Sequence, residues 1–277
     1  STLGNIGIII GLCIIMGQMF EISGAAERMA RTFLKMFGKG REEAALTLTG
    51  FLVSIPIFCD SGFVILSPLA KALSRQTKKS MTGLAVALAG GLVITHSLVP
   101  PTPGPLGVAG TFGVDVGKFI LLGIAISLPM AIVVMLYSKY IGKKIYQIPN
   151  ESGDGWERPP YQKPRYDLVS DEKERNLPSA FLAFLPILLP IILILLNTVL
   201  SALKLTDGFY AVLIFLGKPI VAVGIGLLIS IYTLTYNKDR KYVIKELEDS
   251  MKSAGIIIFV TGGGGALGQV LKAARSE

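Results

Sequence analysis

The sequence predicts an all-α polytopic membrane protein, and three observations carry that prediction. Of its 277 residues, 51% are hydrophobic and 17% are charged, more apolar residues than one soluble core needs. Several apolar runs approach or exceed the roughly 20 residues that cross a bilayer. Prolines, glycines and isolated polar residues also interrupt some of these runs, which is typical of transporters that bind their substrate at broken helices.

The positive charge of the chain indicates membrane orientation rather than a nucleic-acid partner. The formal net charge is +8, but the basic residues cluster beside apolar segments instead of forming one stripe with interleaved aromatics. Cytoplasmic flanks of membrane helices are enriched in Lys and Arg. Cys13 and Cys59 both lie in apolar segments, so we interpret them as small buried hydrophobic residues.

Residues 3–20 predict a first membrane helix, and the stretch that follows, "SGAAERMARTFLKMFGKGREE" (23–43), predicts an amphipathic helix in the membrane interface. A soluble core helix is the alternative for the second segment. Its charged residues share one face, and they are Glu27, Arg28, Arg31 and Lys35.

Residues 44–70 predict a re-entrant hairpin. They are apolar but contain Pro56, Asp60, Ser61 and Gly62, and basic residues flank both ends. If both flanks are cytoplasmic, the segment enters and leaves on the same side. Asp60 has at least ten largely apolar residues on either side, and an ionisable residue at that depth indicates function. A structural, hydrogen-bonded or near-surface Asp60 is the alternative.

Residues 81–99 predict a helix that is broken by "THSLVPPTPGPLGVAG" at 95–110. The prolines remove N–H donors and free carbonyl groups one turn earlier. Thr95, Ser97 and Thr102 could satisfy those groups or bind substrate hydroxyls. His96, the only histidine of the chain, is a natural proton carrier, although it could instead bond the broken backbone.

The remaining segments predict further membrane helices and a second interfacial helix. Residues 117–140 and 177–203 predict spans, 208–236 predict one long helix or two shorter ones, and 237–252 predict a second interfacial helix. We therefore divide the chain into first-repeat membrane segments (1–140), a basic cytoplasmic loop (141–178) and truncated second-repeat membrane segments (179–277). An interfacial helix leads into an interrupted apolar segment at 27–70 and again at 238–277, which indicates inverted repeats.

The stretch "GGGGALGQ" has three possible interpretations. Gly263, Gly265 and Gly268 match a dinucleotide fingerprint, but no βαβ pattern surrounds them. Close helix packing through small residues is a second interpretation. We favour a turn in a re-entrant chain at Gly263, Gly264 and Gly265, whose N–H groups could hold an anion.

Three motifs, "GFLVSIPIFCDSGFVILSPL", "THSLVPPTPGPLGVAGTFGVDVGK" and "GGGGALGQVLK", closely resemble the gluconate permease family of bacterial proton symporters. The resemblance runs along essentially the whole chain and implies that further segments precede Ser1 and follow Glu277. It also implies an ion-transporter-superfamily fold of two inverted repeats, with re-entrant hairpins and unwound helices, assembled as a homodimer. Relatives often carry Glu where this chain has Asp60, and a second histidine where it has Thr102.

The resemblance and the residues together predict proton-coupled symport of gluconate or a related small hydroxy-carboxylate across the bacterial inner membrane. A permease for D-serine or glycerate is the alternative, with a channel as a weaker one. We expect Asp60 or His96 to carry the proton. The expected substrate-binding residues are Ser61, Gly62, Thr95, Ser97, Thr102, Gly104, Gly263, Gly264 and Gly265. We find no nucleophile–base arrangement, so we expect neither an enzyme nor a cofactor, metal or nucleic-acid partner.

Overall fold

A computed structural model describes residues 2–150, 155–161, 177–205, 207–236 and 238–249, together with residues 251, 252, 255, 259 and 263. Its elements are α1 (Thr2–Ser23), α2 (Ala25–Phe37), α3 (Glu42–Val53), α4 (Cys59–Thr77), α5 (Met81–Leu98), α6 (Pro103–Phe112), α7 (Val116–Lys144), β1 (Ile148–Pro149), β2 (Trp156–Glu157), α8 (Ala180–Ala202), α9 (Phe209–Leu216) and α10 (Pro219–Ile229). A π-helical turn, Ser230–Leu234, extends α10. The two-residue strands pair antiparallel, so the described part is helical in nearly all its ordered elements, as predicted.

The apolar helices confirm a polytopic membrane protein. Three segments are long and apolar enough to span a bilayer: Met81–Phe112, Val116–Lys144 and Ala180–Ala202. Two bent pairs qualify when each pair is taken together, α1 with α2 at 69° and α9 with the extended α10 at 72°. The described residues therefore hold up to five spans.

The amphipathic helix predicted after α1 is α2. Its apolar side is buried at Ala26, Met29 and Phe33, and the Phe33 ring packs edge-on against Phe184 of α8 with centroids 5.4 Å apart. On the other side, Arg28 Nε donates to the carbonyl of Pro178 at 2.6 Å. The apolar face is thus covered by protein, and the location of α2 in the membrane interface stays a prediction.

Helices α3 and α4 form a helical hairpin whose two ends are joined. The ammonium group of Lys79, just after α4, lies 2.8 Å from Glu42 Oε2 and also pairs with Glu43 at the start of α3. It donates to the carbonyl of Gly40 at 3.2 Å as well. Helix α3 has 12 residues, about 18 Å, and is too short to cross a core about 30 Å thick. The hairpin therefore begins and ends at one end of the molecule, and its re-entrance into the bilayer stays a prediction.

Glycines allow α3, α5 and α7 to pack backbone against backbone. A Cβ atom on Gly91 of α5 would overlap the carbonyl oxygen of Thr47 in α3. A Cβ atom on Gly83 would lie 2.9 Å from the carbonyl oxygen of Ser138 in α7. Small residues at such crossings are typical of helix packing within membranes. This packing fixes the ends of α3 and α5 relative to each other.

The second half of the chain resolves one alternative and confirms one prediction. Residues 208–236 form two helices, not one, because α9 ends at Gly217 and Pro219 begins α10. Pro219 removes an N–H that a first helical residue leaves unbonded in any case. Residues 240–249 are helical, as the charged pattern predicts, and Glu246 accepts a 2.8 Å hydrogen bond from Gln18 of α1.

Candidate functional site

Two interruptions of helical structure meet in the described part of the chain. One is residues 54–58, between α3 and α4, and the other is residues 99–102, between α5 and α6. Together with α1 they surround a narrow cavity that is lined by Ile10, Cys13, Ile14, Ile55, Pro56, Ile57, Phe58, His96, Thr102 and Pro103. The cavity has room for little more than one water molecule, so a larger ligand needs these segments to move apart.

The break after α5 is stabilised by short-range hydrogen bonds. The N–H of Val99 still donates to the carbonyl of Thr95 at 2.9 Å. The Pro100–Pro101 peptide bond that follows is cis, and the hydroxyl of Thr102 donates back to the carbonyl of Val99 at 2.7 Å. Helix α6 then starts at Pro103. The break is therefore an ordered turn.

His96 lies where the two breaks touch. Its ring is half-buried and packs edge-on against Phe58, with ring centroids 5.5 Å apart. Its buried Nδ1 atom has no hydrogen-bond partner among the described residues. The Asp60 carboxylate lies within electrostatic reach of the imidazole. The structure thus brings together the two groups expected to carry the proton, although they are 36 positions apart in the sequence.

Asp60 is exposed, not surrounded by apolar protein as its sequence context predicts. It occupies the first turn of α4, where its Oδ1 accepts from the N–H of Ser61 at 2.8 Å. A carboxylate in that position interacts favourably with the helix dipole. Gly62 packs closely on α5, since a Cβ atom there would lie 2.8 Å from Leu92 Cδ2. The start of α4 therefore packs against α5 at Leu92, which lies one helical turn before His96.

The other predicted residues of the proline motif differ in their surroundings. Thr95 is fully buried, and no described group bonds its hydroxyl. Ser97 is exposed. Gly104 is also exposed and would have open space around a Cβ atom. Since proline has no N–H, Gly104 alone supplies a donor among the first three residues of α6, Pro103–Pro105.

The predicted glycine cluster is not part of this site as described. Gly263 is helical and exposed, and a Cβ atom added there would have nothing within 4 Å. Gly264 and Gly265 lie outside the described residues. Their binding role stays a prediction.

The sequence did not point to three other residues of the site. Phe58 contacts His96, Cys13 of α1 lines the cavity, and Ser54 is fully buried with an Oγ atom that no described group bonds. Ser54 alone had a detectable signal, as a hydroxyl residue two positions before Pro56 in an apolar run. The other two look like ordinary apolar residues of membrane helices.

The arrangement can bind a small anion and move a proton. The N-termini of α4 and α6 both face the junction region, and unbonded N–H groups at helix N-termini attract carboxylates. The hydroxyl groups of Thr95 and Ser54, which bond no other described group, offer further hydrogen bonds. Asp60 and His96 are the titratable groups that could exchange a proton there.

Comparison with known proteins places the chain among bacterial permeases. The family model that matches residues 1–276 is described as GntP family permease. An uncharacterized permease of Haemophilus influenzae is 46% identical over 98% of this chain and 56% of its own length. A gluconate permease of Pseudomonas aeruginosa is 34% identical over 99% of this chain and 59% of its own length. A D-serine transporter of Escherichia coli is 30% identical over 98% of this chain and 59% of its own length.

The chain spans less than three-fifths of the length of these relatives. No solved structure matches it. The relatives are named permeases and transporters, not enzymes, in agreement with the sequence-based expectation.

Proposed function

Since the chain belongs to the GntP family of permeases, we propose that it carries the substrate and proton sites of a proton-coupled symporter for gluconate or a related small hydroxy-carboxylate. One observation supports this most strongly: the hairpin tip and the α5–α6 break meet with Asp60, His96 and unpartnered hydroxyl groups at the junction. The protein lies in the bacterial inner membrane. In support, a relative of Escherichia coli that is 35% identical to this chain is named an inner membrane permease.

The substrate carboxylate binds at the start of α4 and α6. The N–H of Gly104 is the donor at α6, and the N–H of Ser61 becomes the donor at α4 when the substrate displaces Asp60 Oδ1 from it. The N–H of Gly62 already bonds the carbonyl of Phe58, so Gly62 contributes only close backbone approach. The side chains of Ser61, Thr95 and Ser97 bind substrate hydroxyl groups. Thr102 contributes as an acceptor through the lone pairs of its hydroxyl oxygen, because its proton is already donated to the carbonyl of Val99.

Proton binding and substrate binding are coupled by charge. When Asp60 is ionised, its charge opposes an incoming carboxylate at the same helix end. Protonation of Asp60, or of His96 beside it, removes that repulsion or adds an attraction. The loaded site then moves between the two sides of the membrane, as alternating access requires. Two copies form the homodimer, and Gly263–Gly265 supply the matching anion contacts of the second repeat.

The candidate substrates are gluconate, glycerate and D-serine. The matching relatives include gluconate permeases, an L-idonate transporter and D-serine transporters. Sugar acids and D-serine share a carboxylate beside a hydroxyl or amino group, so one set of helix N-termini suits all of them. Gluconate is the first choice, and glycerate and D-serine are the alternatives.

The test is uptake by the full-length protein in proteoliposomes. Labelled gluconate, glycerate and D-serine are supplied with an inward proton gradient and again after a protonophore collapses it. We expect gluconate accumulation that the protonophore abolishes. Accumulation that survives the protonophore would refute proton coupling, and conductance that does not saturate with substrate would indicate a channel.

Exchange measurements separate coupling from binding. At least one of the variants Asp60→Asn and His96→Gln should lose gradient-driven accumulation and still exchange labelled for unlabelled substrate, since exchange needs no net proton movement. Asp207→Asn is the matched control, because Asp207 is exposed and lies outside the junction. If both variants accumulate substrate like the control, the coupling assignment is wrong.

A further inference from the structure

A second cavity lies at the opposite end of α5, away from the junction. It is formed where the turn after α4 meets the last turns of α7, and four lysines contribute to its lining: Lys78, Lys79, Lys139 and Lys143. Glu43 is its one acidic lining residue, and it is already paired with Lys79. Glu42 pairs with Lys79 as well, so four ammonium groups against two carboxylates leave this described cluster with a net charge of +2.

The lysine geometry concentrates this charge. Lys139 and Lys143 are four residues apart on α7, so their side chains share one face. Like charges at that spacing repel each other, and among the described residues no acid pairs with either of them. Lys78 comes from a different element and has a left-handed backbone, with φ of 55°. An anion between the two elements would relieve the repulsion.

The frame of this cavity is held by hydrogen bonds. The hydroxyl of Tyr146 donates to the carbonyl of Lys78 at 2.7 Å. Ser80 Oγ donates to the carbonyl of Ile145 at 2.8 Å, and the N–H of Met81 donates to the carbonyl of Gln147 at 2.7 Å. These bonds fasten the α4–α5 turn to the chain that follows α7. The lysines therefore project from a fixed scaffold.

The membrane geometry places the cavity at headgroup depth. Helix α7 has 29 residues, about 43 Å, so its ends extend beyond a hydrocarbon core about 30 Å thick. Lys139 and Lys143 lie in its last two turns beside Tyr137 and Tyr140, and Tyr and Lys both favour the membrane–water interface. Basic pockets between membrane helices on the cytoplasmic side bind anionic headgroups.

We propose that this lysine cavity, formed by the α4–α5 turn and the end of α7, binds a phosphate group. The phosphate comes either from the headgroup of an anionic phospholipid or from free inorganic phosphate. The site is separate from the transport site and does not depend on the proposed substrate.

The experiment uses the full-length protein in nanodiscs. Lys78→Gln, Lys139→Gln and Lys143→Gln are combined in one variant, which keeps Lys79 and its ion pairs. Lys118→Gln, Lys204→Gln and Lys218→Gln form the matched control, with the same charge change outside the cavity. Native mass spectrometry measures retained phosphatidylglycerol, and competition with inorganic phosphate is measured in parallel. Each contact with an anionic surface is worth roughly a factor of five, so we expect at least about a tenfold loss of binding in the cavity variant.

The two probes distinguish the source of the phosphate. Retention of phosphatidylglycerol that inorganic phosphate does not displace supports the lipid headgroup. Displacement by inorganic phosphate, with equal loss of both probes in the cavity variant, supports free phosphate. Equal binding of both probes by the wild type, the cavity variant and the control would overturn the proposal.

A measurement on the wild-type protein tests the proposal even if the cavity variant does not fold. Amine acylation followed by peptide mass spectrometry reports how accessible each lysine is. Phosphatidylglycerol or inorganic phosphate should slow acylation of Lys78, Lys139 and Lys143 relative to Lys118. Equal rates with and without both probes would also overturn the proposal.

Discussion

The imidazole of His96 packs edge-on against the ring of Phe58, with centroids 5.5 Å apart. This contact joins the tip of the α3–α4 hairpin to the end of α5. The two segments that must separate to admit a substrate are therefore in contact through the histidine that could carry the proton. Opening of the cavity and the environment of His96 are linked by this one pair.

Phe58→Ala tests that link. An aromatic pair adds about 0.5–1.5 kcal/mol beyond the area it buries, which corresponds to a change of about 2- to 10-fold. We expect the initial rate of gradient-driven uptake to fall by that factor, because His96 loses its packing partner. Phe112→Ala is the control, since Phe112 is 77% exposed and ends α6 away from His96. Equal rates in the two variants would contradict a role for the contact.

Thr95→Val and Thr102→Val should differ in their effect on stability. The Thr95 hydroxyl is buried with no described partner, so its removal should leave the thermal midpoint unchanged or higher while substrate affinity falls. Thr102 bonds the backbone of Val99, so its replacement should lower the free energy of unfolding by about 1 kcal/mol. Thermal unfolding and the KM for uptake measure the two effects. A destabilised Thr95→Val with normal KM would assign Thr95 to the fold.

Much of the fold follows from local patterns. The 3.6-residue periodicity predicts α2, the prolines predict the break after α5, and apolar length predicts α7 and α8. These features depend on residues close in sequence, where the backbone rules for proline and amphipathic helices apply directly.

The site depends on contacts between distant residues, which a single sequence does not encode visibly. The surroundings of Asp60 suggest deep burial, yet its position in the first turn of α4 leaves it exposed. Phe58 and Cys13 carry no polar signal, because their importance comes from the segment that faces them. Whether residues 208–236 form one helix or two also could not be predicted, because a Lys-Pro pair is compatible with either a kink or a break.

Gly91→Ala should destabilise the helical core. A Cβ atom at position 91 would overlap the carbonyl oxygen of Thr47 in α3, and the backbone cannot rotate away as a side chain can. Overpacking of this kind costs about 1–3 kcal/mol. Gly11→Ala is the matched control in α1, where no atom lies within 4 Å of the new Cβ, and it should be neutral or slightly stabilising. Equal thermal midpoints for the two variants would contradict the close α3–α5 contact.

Lys79→Met should destabilise the protein more than a change at any exposed lysine. Its removal leaves Glu42 and Glu43, both largely buried, without their cation. Breaking a buried pair in this way costs about 3–5 kcal/mol. Lys118→Met is the control and should change the free energy of unfolding by less than about 0.5 kcal/mol. Adding Glu42→Gln and Glu43→Gln to Lys79→Met should recover part of the loss, and a failure to do so would rule out carboxylate repulsion as its cause.

The same ion pair predicts how stability depends on pH in the alkaline range. Burial of the Lys79 ammonium lowers its pKa, but the carboxylates of Glu43 and Glu42 outweigh burial and hold the pKa above its ordinary value. A group whose pKa is raised by folding stabilises the folded state fully below its unfolded pKa, about 10.4 for lysine, and loses that contribution as the pH rises through the folded pKa. The difference in thermal midpoint between wild type and Lys79→Met should therefore stay constant from about pH 8 to 10 and shrink above that. A difference that instead grows as the pH rises from about 8 to 10 would mean that folding lowers the pKa of Lys79, because the unfolded state would then bind more protons in that range, and the ion pair would not be what joins the two ends of the hairpin.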